Sequence, residues 1–114
     1  MPAPIIERRR SPRYLCSHLV EIRCSNGQAA AYVVAALLED LSREGAAIAV
    51  EAPIEAGTIL ELITPGLQVR AEVRYCRPRE RDFHLGLEFA DGSRWNPELW
   101  QPDHMYLPPP PASA

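Results

Sequence analysis

Asp40-Leu41-Ser42-Arg43-Glu44-Gly45 sets a carboxylate, a hydroxyl and a glycine at close spacing between two apolar runs, Tyr32 to Leu38 and Ala46 to Val50. Asp and Ser side chains bond readily to nearby backbone N–H groups, and Gly supplies φ > 0 where a chain turns sharply. A tight connection between two strands is the plain reading. A second stretch, Glu7-Arg8-Arg9-Arg10-Ser11-Pro12-Arg13, gathers four arginines ahead of the first apolar run. Arg9-x-x-x-Arg13 places two planar donor forks on a segment stiffened by Pro12, and each can make bidentate, charge-assisted bonds to phosphate. Taken alone, such a run also reads as a solvated basic arm. Taken together, the two stretches could close on one ligand. Asp40 makes little sense in a site for phosphate only. It makes sense for a ligand carrying both phosphates and purines, with Asp40 accepting from a guanine edge, Ser42 a small donor and Gly45 allowing close backbone approach.

The elements that must position these residues are short strands. Leu15 to Cys24 alternates Val20, Ile22 and Cys24 with Leu19, Glu21 and Arg23, and Asn26-Gly27 is a hairpin-turn signal. Ala30 to Glu39 reads as a second strand apolar on both faces, with helix as the competing reading because Ala and Leu favour it. Ala46 to Glu51 and Thr58 to Thr64 follow, then a turn at Pro65-Gly66. Leu67 to Tyr75 alternates cleanly, with Val69, Ala71, Val73 and Tyr75 expected inward. Asp82 to Phe89 supplies the sixth strand. Six strands with turn signals between them predict an all-β, six-stranded antiparallel barrel, which removes exposed edges. A short C-terminal helix is expected within Ser93 to Trp100, with Asn96 as N-cap and Pro97 at the first helical position. Trp95 and Trp100 read more naturally as a cap on the open end of the barrel than as a binding platform.

The length, 114 residues, limits the chain to one domain with short tails. We place a flexible tail at 1–6, the barrel domain with its arginine arm and tryptophan-rich cap at 7–104, and a proline-rich tail at 105–114. A net charge of −3 argues against a general nucleic-acid binder. Every one of the 12 Lys+Arg cations is arginine. The three cysteines, Cys16, Cys24 and Cys76, cannot all pair within one chain and form no C-x-x-C, which suits reduced thiols and a cytoplasmic location. No 18-residue apolar run and no signal-peptide core are present, so membrane insertion is not expected. His18, His84 and His104 form no metal-ligand pattern, Cys16-x-His18 having no second matching pair. No nucleophile–base motif appears. Neither catalysis nor a cofactor is expected.

Arg8-Arg9-x-x-x-Arg13 followed by Asp40-x-Ser42-x-x-Gly45 resembles the PilZ domain family, and His84-Leu85-Gly86-Leu87-Glu88-Phe89 is similar to that family's closing strand. The resemblance runs over about residues 7 to 90 and implies a bacterial receptor for the second messenger cyclic di-GMP. By that resemblance Arg9 and Arg13 grip phosphates and stack on guanine. Asp40 and Ser42 reach the guanine and its neighbouring groups, Gly45 keeps the turn open, and Arg8 takes part in the motif. The implied behaviour is a nucleotide-responsive adaptor whose arm reorders and signals to a protein partner. The alternative is an interaction module of the same fold that no longer responds to nucleotide. DNA and RNA are not expected as partners, because the chain lacks a basic, aromatic strip.

Overall fold

The computed structural model describes residues 12–25 and 31–107. Within them lie β1 (Tyr14–Cys24), β2 (Tyr32–Leu41), β3 (Gly45–Val50), β4 (Ile59–Thr64), β5 (Leu67–Pro78) and β6 (Phe83–Phe89). They form a closed antiparallel barrel in the order β1-β2-β3-β6-β5-β4. The Asn26-Gly27 turn, Arg8, Arg9 and the 108–114 tail lie outside the described residues.

The inward column follows the period of two. Ile22, Leu38, Ile48, Leu62, Ala71, Val73 and Leu85 are fully buried, and burying an aliphatic side chain of this size stabilises by about 1.5–3 kcal/mol. The helical reading of 30–39 gives way because β2 is hydrogen-bonded along both edges, to β1 and to β3. β2 also runs two residues further than the pattern suggested. Leu41 is fully buried and holds the chain in register to the end of the strand. Asp40 is therefore a strand residue, opposite Leu15 on β1 and Ala47 on β3, rather than part of the turn.

Three bulges interrupt the ladders among the described residues, the first on β1 between Leu15 and His18. The second falls between Leu38 and Asp40 on β2. The third falls between Val73 and Tyr75 on β5. An extra residue in one strand flips the side chains beyond it to the other face. Val73 pairs with inward Leu87, Tyr75 with Gly86 and Cys76 with inward Leu85. Tyr75 therefore points outward, contrary to the unbroken alternation, and the partly buried Cys76 packs on the core in its place.

Beyond β6 no helix forms among the described residues. The helix expected within 93–100 reduces to one turn, in which the Asn96 side-chain oxygen accepts from the N–H of Glu98 (2.8 Å) and of Leu99 (3.3 Å). Asn96 caps as anticipated, but Trp95 and Trp100 both turn toward the barrel. The Trp95 indole N–H donates to the Trp100 carbonyl (2.8 Å), and Pro102 follows. Trp95 is 2% exposed and belongs to the core. The chain then runs back along β1, where Leu15 and Tyr106 exchange backbone hydrogen bonds of 2.8 and 2.9 Å.

Candidate functional site

Arg13 stands immediately before β1, and the pairing of Leu15 with Asp40 brings it to the end of β2. Its Nη1 lies 3.8 Å from Asp40 Oδ2. The guanidinium is 44% exposed while the carboxylate is only 13% exposed, so a shielded acid faces an accessible cation. The arm and the acid, far apart in sequence, meet.

Ser42 and Gly45 act differently from the sequence expectation. The backbone N–H and the hydroxyl of Ser42 both donate to the Gly45 carbonyl, at 2.9 and 3.2 Å. The hydroxyl thus closes the turn on itself. Gly45 has no positive φ, since Gly57 and Gly92 are the positive-φ glycines among the described residues. Its requirement is steric: a Cβ there would fall on the Leu87 carbonyl oxygen of β6. The glycine lets β3 and β6 approach, and does not open the turn.

One straight row crosses four strands on the outer face. Asp40 is opposite Ala47, Ala47 opposite Gly86, and Gly86 opposite Tyr75. With neighbouring strands about 4.8 Å apart, the row spans roughly 14 Å. Its two middle members are small and buried, and its ends are an acid and an aromatic ring. The Tyr75 ring leans over Gly86, where any Cβ would meet it. The Arg77 guanidinium sits 4.2 Å from the centre of that ring, a cation–π contact.

A polar network borders the row. The Tyr75 hydroxyl lies 3.3 Å from His84 Nε2, and His84 Nδ1 lies 3.0 Å from Glu39 Oε1. This contact links β2 to β6 across β3, and outward Ala49, opposite His84 on β3, leaves room for it. Arg79 donates to both Glu39 oxygens (3.2 and 3.1 Å) and twice to Asp82 (2.7 and 3.0 Å). Those bonds hold the Asp82 carboxyl below the usual carboxylate range. Glu39 is thereby committed to Arg79 and His84. The Cys16 thiol is pushed up to about 12, by burial first and then by the Asp40 and Glu39 carboxylates. At neutral pH it is a protonated thiol whose Sγ–H donates to the Leu38 carbonyl (3.6 Å), and it is no nucleophile.

Of the predicted site residues, the structure brings Arg13 and Asp40 together and ties Ser42 to Gly45 in the adjoining turn. Sequence reasoning missed Tyr75 and Arg77. The outward alternation of β6 pointed to His84 and Gly86, but nothing in the β5 pattern revealed the bulge that turns Tyr75 toward them.

A small closed six-stranded barrel with an arginine and a shielded acid side by side at the end of β2 defines the class: a small antiparallel β-barrel domain. The family model for the PilZ domain matches residues 7–96, and the chain belongs to that family. Among solved structures it is similar to the PilZ domain with c-di-GMP of YcgR from Escherichia coli. That likeness has a TM-score of 0.60 and 16% identity, over 76% of this chain and 81% of that one. It is also similar to the Bacillus subtilis inhibitor of motility MotI/DgrA, with a TM-score of 0.52 and 18% identity, over 80% of this chain and 48% of that one. The chain thus spans about half the length of the second structure. No significant match to a curated protein was found.

Proposed function

We propose that this chain is a receptor for cyclic di-GMP that binds the nucleotide on the outer face of its barrel. The observation that carries the reading is the meeting of Arg13 with the shielded Asp40 carboxylate, in a chain of the PilZ family. Arg9 and Arg13 take the phosphates through charge-assisted bonds, and Arg8 adds to the positive field of the arm. The Asp40 carboxylate accepts from the guanine N1–H and N2–H2 donors, which adenine does not present. Ser42 and Gly45 act through the turn that fixes the end of β2. The stacked Arg77–Tyr75 pair offers a flat cationic face on which a base can lie. Binding draws the arginine arm onto the barrel and changes the surface shown to a protein partner. In this reading the protein acts by binding alone, with no catalytic step and no cofactor, in the bacterial cytoplasm.

Calorimetric titration of the purified chain with cyclic di-GMP and with cyclic di-AMP tests the reading. Saturable binding of the first and poor binding of the second is the expected result. No saturable binding of cyclic di-GMP at tens of micromolar, a generous limit on the affinity scale, sinks it. The second reading, an interaction module of the same fold, then takes its place. It draws on the exposed Leu99 and Tyr106 of the C-terminal segment.

A further inference from the structure

β4 pairs with β1 only from Glu21 to Cys24. The first half of β1 therefore has β2 on one edge and needs another partner on the other. Residues 93–107 supply it as a strap. Leu15 and Tyr106 exchange two backbone hydrogen bonds, and the Ser17 N–H donates to the Asp103 carbonyl (3.2 Å). The Asp103 N–H donates to His18 Nδ1 (3.0 Å). The Trp100 ring meets the His18 ring edge-on at 5.0 Å and covers Gly66, where a Cβ would strike the indole.

Trp95 anchors this strap, and it touches both sides of the candidate site. Its ring packs edge-on against Tyr14, the residue after Arg13, at 5.6 Å. Its backbone N–H donates to the carbonyl of Arg43, in the turn that follows Asp40 (3.0 Å). Its indole N–H is bound within the strap, to the Trp100 carbonyl. One buried residue thus joins the start of β1, next to Arg13, to the turn that follows Asp40, through its ring on one side and its backbone on the other.

We propose that Trp95 is a positioning residue for the nucleotide, and that docking of the 93–107 strap and occupancy of the Arg13–Asp40 site are coupled. The proposal rests on the cyclic di-GMP reading above. A ligand held between Arg13 and Asp40 favours the spacing that a docked strap enforces. Coupling is reciprocal: the factor by which the docked strap tightens nucleotide binding is the factor by which nucleotide tightens the strap.

Two measurements on the full chain test this. In the first, hydrogen exchange of the wild type is followed with and without saturating cyclic di-GMP. Slower exchange at the Leu15, Ser17, Trp95 and Tyr106 amides is the expected result, and saturable binding with unchanged protection there overturns the coupling. In the second, Trp95→Phe removes the indole N–H and keeps a ring against Tyr14, while Tyr106→Pro removes the N–H that bonds to Leu15 at a half-exposed position. Each should weaken binding about three- to tenfold. The loss from Trp95→Phe should shrink in an Arg13→Ala background, because Trp95 acts through the strand bearing Arg13. A merely structural cap gives equal losses in both backgrounds, and that result overturns the positioning role. If either variant fails to fold, the wild-type exchange measurement decides. Absence of any saturable binding overturns the receptor reading itself, and the coupling with it.

Discussion

Arg13 Nη1 and Asp40 Oδ2 face each other at 3.8 Å, the cation nearly half exposed and the acid mostly covered. At that distance and exposure the pair contributes roughly 0–1 kcal/mol to stability. Its importance lies in geometry. It sets an accessible donor fork beside a shielded acceptor at the end of β2.

Arg13→Ala should therefore leave the fold intact and impair binding. A charge-assisted hydrogen bond is worth about 1.5–3 kcal/mol, so affinity for cyclic di-GMP should fall about ten- to a hundredfold. Arg9→Ala should do likewise. The affinity of both variants should depend less on salt than the wild type's, because part of the attraction is long-range charge. Titrations at two salt concentrations, with a thermal melt of each variant, check this. A large drop in melting temperature with unchanged affinity contradicts it.

Asp40→Ala should act through the base. The wild type should strongly prefer cyclic di-GMP to cyclic di-AMP, and the variant should lose most of that preference while keeping residual, salt-sensitive affinity for both. Competition titration with the two nucleotides reads the ratio directly. An unchanged ratio means that Asp40 does not meet the base.

Gly45→Ala should destabilise the barrel, and more so than Gly86→Ala. The new methyl at position 45 meets the Leu87 backbone carbonyl, which cannot move without breaking the β3–β6 ladder. Overpacking of this kind costs about 1–3 kcal/mol. At position 86 the methyl meets only the Tyr75 ring, which can swing away. Gly86→Ala should therefore spare stability and disturb the Arg77–Tyr75 stack. Denaturant midpoints for the two variants give the comparison, and equal losses contradict it.

Cys16 should give the fold a pH dependence on the alkaline side. Its pKa is raised in the folded protein from 9.0 to about 12, so folding favours the protonated thiol. The stabilising contribution is complete below pH 9 and is lost as pH rises toward 12. Between those limits the wild type should lose more stability than Cys16→Ala. At pH 8, iodoacetamide should modify Cys16 far more slowly in the native chain than in the denatured one. Native and denatured rates that match mean that the thiol is not shielded.

Local pattern alone located the six strands, because alternation with a period of two and turn residues between runs are near-neighbour properties. Leu67 onward and Phe83 to Phe89 show this most clearly, with Val69, Ala71, Leu85 and Leu87 all buried as the alternation required. The arginines of the arm and the Asp40–Gly45 stretch could likewise be picked out by residue type and spacing, together with the family they resemble. Register was decided only in three dimensions. Whether Asp40 ends a strand or opens a turn depends on Leu15 and Ala47 pairing with it from two other strands. The outward turn of Tyr75 depends on a bulge defined against β6. Gly45 is needed because of Leu87, a residue on the other side of a ladder, and not because of its own φ. The strap needed the same information: Trp95 reads as a generic aromatic cap until the barrel leaves half of β1 without β4, and the returning chain is what fills that edge.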